Sequence, residues 1–556
     1  MSNSSQDVEK DFKAEEDPNV LVEAASINED GLYGSTSASH RTLESYHVNF
    51  GGTIGTALFV YMGSGLLSGG PANLLLAYTW WTSVIFCIAE CQKEIVTFWP
   101  TDAAFTRNAS RYIDPAAGFA VGWNMYFNQA ALVIFELVNF GVTIRYWEQA
   151  ANINICVYIA ILLVAWGVLN LWDTRFYGNS EFSFAIGKII LIVGLLIMTF
   201  ITMLGGNPIH DRFGFRFWST PGAFTTPYPD HPAGVGRFEG FLACVMNAAF
   251  TVAGPDYLSM IAGECRNPRV VMPKAFNNTV YRLCVFFIGS ALAIGVLVPY
   301  DSAVLIAAFG AGLPGAARSP YVVAMRRLMI PVLPNIVNAL ILTSVFSAGN
   351  AFLFCGSRQL AQLSRDGHAP KLFATRNRNG VPYWAVSITL GFGAFAFLKA
   401  SDSATIFITY ITSLVGAAQL VNWIVMAWTW IAWNKGLSAQ GLEHTKPVRS
   451  KLLPYGACEL LGLGTRTFTV TDVLHFSVFL RGGWDTPDFF FAYTMLILFP
   501  ILFVGWKIIK RTTYVTSMTM DLTSYINEPE FDEMAYVDPP RGKFSGYAHT
   551  FLKTLF

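Results

Sequence analysis

Charge is what this sequence has least of. Asp, Glu, Lys and Arg make up 13% of its 556 residues, about half the share of an ordinary soluble domain. The 37 acidic and 37 basic side chains cancel, so no net field draws the chain to nucleic acid or to an acidic partner. Cysteine is sparse and wrongly spaced for chemistry. Cys87 and Cys91 have three residues between them rather than the two of a CxxC redox pair, and no second Cys/His pair completes a zinc site. The cysteines lie mostly in or beside apolar runs, where a thiol acts as a small hydrophobe. The phosphate-binding pattern GxxxxGK(S/T) and the metalloprotease pattern HExxH are both missing, and no soluble stretch is long enough for a catalytic domain. An enzyme is therefore not expected, nor a metal or organic cofactor. A cleavable signal peptide is missing too. Residues 1–45 are polar, serine-rich and acidic, with Glu9, Asp11, Glu15, Glu16 and Asp17 close together, which predicts a disordered cytosolic tail.

What is abundant is apolar: 53% of the residues are hydrophobic and the mean hydropathy is +0.42. Crossing the hydrocarbon core takes about 20 mostly apolar residues, and such runs recur at 48–68, 72–92, 117–147, 153–172, 182–204, 238–262, 279–300, 332–358, 382–400, 405–433, 456–480 and 487–508. The pattern predicts an all-α membrane protein of about a dozen transmembrane helices. Lys and Arg favour the cytosolic side of a span. Lys93, Arg107 and Arg111 follow the second run, Arg175 the fourth, Arg266, Arg269 and Lys274 the sixth, Arg358 and Arg365 the eighth, and Lys446, Arg449 and Lys451 the tenth. These are alternate loops, so both termini are expected in the cytosol. Residues 46–450 then form a ten-helix core, 451–510 two further helices and 511–556 a cytosolic tail.

Two runs do not read as uniform helices. Gly51–Ala57 concentrates glycine and hydroxyl residues where a lipid-facing helix would place leucine, through either a break in the helix or close helix packing. Phe250–Asp256 puts a Gly-Pro pair and a carboxylate inside the sixth run, and proline removes a backbone donor and clashes with the preceding turn. Freed backbone groups at membrane depth persist only inside protein or against a polar cavity. Interrupted helices at matching places in two halves mark the binding site of an inverted-repeat transporter, here five helices plus five with helices 1 and 6 discontinuous. Half-helix N–H groups attract a carboxylate and opposing carbonyls an ammonium, so a zwitterionic amino acid fits both.

Gly52-Thr53-Ile54-Gly55-Thr56 with Leu58-Phe59, then Gly69-Gly70-Pro71, resembles the first-helix signature of fungal amino-acid permeases of the amino acid–polyamine–organocation superfamily. Asp114-Pro115-Ala116 with Gly122-Trp123-Asn124, Ala262-Gly263-Glu264 with Asn267-Pro268-Arg269, Ser347-Ala348-Gly349-Asn350, and Arg365-Asp366-Gly367-His368 continue it in order over about residues 41–450. The resemblance implies secondary active, proton-coupled uptake of amino acids at the plasma membrane, probed by no cofactor beyond the proton gradient, and a monomeric unit. It implies a substrate carboxylate near the amides of Gly55, Thr56 and Ala57, and an ammonium near the carbonyls of Thr53, Phe250 and Ala253. Phe250 would also close over the substrate. Phe346 is either a second aromatic wall or ordinary packing.

Ionisable residues at membrane depth are expensive, at roughly 2.5–3.5 kcal/mol each. Lys188 and Glu136 sit inside apolar runs: Lys188 is expected to load and release the coupled proton or to be a purely structural charge, and Glu136 to accept a proton, to contact the substrate or to hydrogen-bond to another helix. Asp256 is a further proton-coupling residue or a cap for the second half-helix. Family members commonly carry glutamate at the Asp256 position. Glu264 and Arg266 read as a cytoplasmic gate or a solvated loop pair. A permease for another amine, such as choline or γ-aminobutyrate, and a non-transporting amino-acid sensor are the alternative functions. Residues 453–481 hold Glu459, Arg466, Asp472 and His475 with many glycines and threonines, a composition unsuited to solitary insertion. Either they pack with their charges paired or they reflect a misread splice junction. The second is favoured because the resemblance resumes at Phe476-Ser477-Val478.

Overall fold

The computed structural model describes residues 55–523 apart from 56, 173, 228–229, 253, 266–267, 311–314, 400–403 and 451–485. The tail expected at 1–45, the doubtful run 453–481 and the residues Thr53, Thr56, Ala253 and Arg266 lie outside the described residues. Helix is the only regular structure among those described, as lipid requires when each backbone group must find its partner within its own segment.

The first long element, α1 (Ala57–Phe98), contains two of the expected spans. At 1.5 Å per residue it would be about 63 Å long if straight, twice the ~30 Å hydrocarbon core. It turns instead at Gly70 (φ 80°, ψ 175°), just before Pro71. Both arms then lie against the same stretch of α6 (Ala233–Thr251): the Tyr61 carbonyl accepts from Asn247 Nδ2 at 3.0 Å, and Tyr78 Oη donates to Asn247 Oδ1 at 2.8 Å. The chain has therefore folded back on itself. Residues 223–225 cap the turn, with Ala72 N donating to the Ala223 carbonyl at 2.9 Å and Thr225 N to the Gly69 carbonyl at 3.1 Å.

The order continues with α2 (Ala104–Tyr112), α3 (Pro115–Ile144), α4 (Ile155–Trp172) and α5 (Thr174–Met203). After α6 come α7 (Pro255–Met260) and α8 (Pro268–Leu297), the latter with a π-helical turn at Leu283–Ile288. A short α9 (Pro320–Arg327) precedes α10 (Leu333–Arg365), α11 (Tyr383–Gly393), α12 (Ala404–Ala439) and α13 (Thr486–Lys510). Nine described helices are long and apolar enough to cross a membrane, and Tyr383–Phe397 is a shorter one. With α1 crossing twice, that makes eleven passes among the described residues. The two halves run in parallel order: the second opens on the interrupted pair α6 and α7, and each half places a short helix, α2 or α9, between its second and third long passes.

Lipid-facing side chains identify the outside of the bundle. Ile161, Val164 and Val168 on α4, Ile190, Ile197 and Phe200 on α5, and Ile501, Val504 and Ile508 on α13 are all exposed, a belt tolerable only in an apolar solvent. Inside, α3 and α10 approach closely at Gly122, Gly349 and Gly356, where any side chain would meet the facing helix. Asn124 and Asn128 tie α3 to Asn422 and Gln419 of α12 at 2.8 and 2.7 Å.

Candidate functional site

The described chain enters the site at Gly55. Ala57–Tyr61 forms a π-helical turn rather than an α-helical one, and such turns redirect backbone groups away from the regular ladder. The Phe59 carbonyl accepts from Ser319 Oγ at 2.7 Å, and the Tyr61 carbonyl accepts from Asn247, both from outside the segment. Facing it, α6 stops at Thr251. Val252 is extended (φ −93°, ψ 104°), and α7 restarts with Pro255 in its first turn, where a missing N–H costs no helical bond. The expected break in the sixth span thus falls between α6 and α7, and Asn247 joins α6 to the π-helical turn at Ala57–Tyr61; of the other expected break, Gly51–Ala57, only Gly55 and Ala57 are among the described residues.

Glu136 of α3 lies at this junction. It is buried, and a methyl group on Gly55 would come within 3.1 Å of its Oε1. A methyl group on Gly349 of α10 would lie 3.0 Å from its Cβ and would meet the Trp166 ring. Two glycines therefore make the slot that the glutamate occupies. Phe250 is half-buried, edge-on to Tyr61 and Phe135 at ring-centroid distances of 5.2 and 5.1 Å. Tyr61 Oη lies 3.2 Å from Thr412 Oγ1 of α12.

Lys188 of α5 is 1% exposed. Its Nζ stands 3.8 Å from Oε1 of Glu181, itself fully buried. Ser347 Oγ of α10 is 2.8 Å from each carboxylate oxygen and donates to that carboxylate. Glu136 is the other acidic group whose field reaches Lys188. Phe346, next to Ser347, contacts Phe184 and Trp166 at 5.3 and 6.3 Å, and its carbonyl accepts from Trp166 Nε1 at 3.1 Å.

The structure thus brings together Gly55, the π-turn that begins at Ala57, Phe250 and Glu136, with Lys188 and Phe346 alongside. Asp256 is directed elsewhere. Its Oδ1 accepts from the Gly254 amide at 3.3 Å and its Oδ2 from Gln419 Nε2 at 2.9 Å, and Gln419 in turn accepts from Asn128. These bonds anchor the start of α7 to α3 and α12, as a helix cap does. Glu90 pairs with Lys93 at 2.6 Å near the end of α1. Among the described residues no cluster of His, Cys, Asp and Glu is suited to a metal ion. Sequence reasoning missed Glu181. The signal was available: it precedes Lys188 by seven residues, two turns along the same helical face.

The sequence matches the family model described as amino acid permease over residues 46–516. A general amino acid permease of Saccharomyces cerevisiae is 38% identical over 483 residues, 85% of this chain and 80% of that one. A proline-specific permease of Emericella nidulans is 34% identical over 91% of both chains. A dicarboxylic amino acid permease of S. cerevisiae is 34% identical over 87% of this chain and 80% of its own.

Proposed function

The chain belongs to the amino acid permease family, and from that premise we propose that it is a secondary active transporter, taking amino acids up across the plasma membrane with protons by alternating access. One observation carries the reading. The sixth span is interrupted beside the π-helical start of the first, with a buried carboxylate, Glu136, against Gly55. In this reading the amides of Gly55, Thr56 and Ala57 would receive a carboxylate and the carbonyls of Thr53, Phe250 and Ala253 an ammonium, as the family resemblance implies. Phe250 and Phe346 supply apolar walls for the variable part of the substrate.

The position of Glu136 gives a reason for coupling. A substrate carboxylate bound at the Gly55 amide meets the Glu136 carboxyl group at short range. Two like charges there repel strongly in a dry site, so the substrate is accepted with a proton on Glu136, and the pair enters as one cargo. Lys188 supplies a fixed cation nearby. The three relatives are named for general, proline and dicarboxylic substrates, so backbone recognition of the common zwitterion is the shared element and the walls choose among side chains. The Lys- and Arg-rich end of the bundle, with Lys93, Arg107, Arg365 and Lys446, faces the cytosol, and one chain is the working unit.

Uptake of radiolabelled proline, aspartate, lysine and leucine in permease-deficient yeast tests this. Accumulation is expected to collapse with a protonophore. It is also expected to be abolished by Lys188→Ala or Glu136→Gln while the surface amount stays unchanged. Accumulation that ignores both protonophore and substitutions would overturn proton coupling. Binding of an amino acid with signalling but no flux would favour a sensor.

A further inference from the structure

A lysine ammonium at 1% exposure in a membrane bundle is untenable without a counter-charge, because removing one partner of a buried pair leaves an uncompensated ion. The structure supplies that counter-charge from the same helix: Glu181, two turns before Lys188, with 3.8 Å between Oε1 and Nζ. This separation is longer than a hydrogen bond, so the carboxylate balances the ammonium without clamping it. The carboxylate itself is held by a different helix, through the Ser347 hydroxyl at 2.8 Å from both oxygens. Ser347 is joined through the backbone to Phe346, whose ring and carbonyl are fixed by Phe184 and Trp166. One turn further along α10, Gly349 backs Glu136.

We propose that Glu181 is a positioning residue of the coupling centre: the fixed counter-charge of Lys188, tied by Ser347 to the α10 segment that walls the substrate site and backs Glu136. The inference rests on the transport reading given above. Among the described residues, Glu181 from its own helix and Glu136 from α3 act on Lys188, Lys188 acts on Glu181, and α10 contributes the uncharged Ser347. With all three ionised the cluster carries one negative charge, and one added proton makes it neutral. Neutrality is the favoured state in a dry site and ionisation in a hydrated one, so opening and closing of the bundle can load and release that proton. Removing the charge of Glu181 removes this balance.

The test uses the full chain, purified and reconstituted in liposomes with an imposed proton gradient and a radiolabelled mixture of the standard amino acids. Glu181→Gln is expected to lower gradient-driven accumulation by about tenfold or more and to move the pH profile of uptake toward acid, since a lost negative charge weakens proton binding nearby. Ser347→Ala, which changes no charge, is expected to move the profile by less and toward alkaline pH, since a carboxylate that loses a hydrogen-bond donor binds a proton more readily, and it serves where Glu181→Gln folds poorly. A lower rate with an unmoved pH profile in both variants would reduce Glu181 to a packing group and overturn the proposal. Thermal unfolding in detergent gives a second, independent reading. Glu181→Gln and Lys188→Gln should each destabilise, and the double variant should be more stable than the sum of the two predicts. Additive losses would also overturn the pairing. Wild-type liposomes that move none of the mixture would sink the transport reading alone, because the unfolding cycle still decides whether Glu181 and Lys188 act as a pair.

Discussion

Gly349 shows how much a single missing side chain can hold in place. A methyl group there would strike the Trp166 ring and press on Glu136, and overfilling a packed interior costs about 1–3 kcal/mol. Gly349→Ala is therefore expected to lower the unfolding temperature in detergent and to abolish uptake, because Glu136 must leave its place beside Gly55. Gly416→Ala, where a methyl group meets nothing within 4 Å among the described residues, is the control and should leave both unchanged. At this scale the sequence was partly legible. Lys188 and Glu136 stood out because an ionisable group in an apolar run needs a reason. Their arrangement was not legible: nothing in the sequence says that Glu136 lies between glycines 55 and 349, or that Ser347 reaches Glu181 across 166 positions of chain.

Interrupted helices are legible wherever the backbone itself forbids continuation. Gly254 and Pro255 together end α6, because proline offers no N–H to the ladder and glycine readily leaves helical backbone, whereas Pro273 and Pro500, with no glycine before them, sit inside continuous helices. The turn at Gly70 is a different case. The sequence sets two spans on either side of Gly69-Gly70-Pro71, and the structure makes that turn at a single residue. Gly70 has φ 80°, and a methyl group there would lie 3.0 Å from the Ala223 carbonyl oxygen and from the Thr225 amide nitrogen. Residues other than glycine pay about 1–3 kcal/mol in such backbone. Gly70→Ala is thus expected to weaken the α1 hairpin, read as a lower unfolding temperature and faster amide hydrogen exchange over residues 57–98. Alanine at Gly194, where nothing lies within 4 Å of an added methyl group, should not do so.

Across the whole molecule, the described chain after α13, residues 511–523, is part of the fold. Asp114 pairs with Lys507 and accepts from Thr512 Oγ1 at 2.7 Å, Val515 N donates to the Ile113 carbonyl at 2.9 Å, and Arg111 Nη2 pairs with Asp521 at 2.6 Å. The tail expected from residue 511 therefore begins docked, with Met520 and Leu522 buried against Trp433 and Leu437. Beside it, His368 lies edge-on to Phe119 and Trp506, which stack at 3.9 Å. Burial holds the His368 imidazole below its ordinary range; Asp366 opposes that shift and Lys510 adds to it. The folded state thus favours neutral His368. Its contribution is present above the unfolded value of about 6.5 and is lost as pH falls through the lower folded value. The unfolding temperature should decline as pH falls below about 6.5, less steeply in His368→Gln, and equal slopes would exclude this histidine as a source. The sequence alone determined that the chain lives in lipid, that it crosses about a dozen times and that its first and sixth spans are irregular, since hydropathy, glycine and proline act through local backbone and solvation. The tertiary structure decided which charges meet. Glu181 with Lys188, Glu136 against Gly55 and Asp256 with Gln419 depend on how separate helices pack, and a buried charge is satisfied by whichever helix brings its partner within reach.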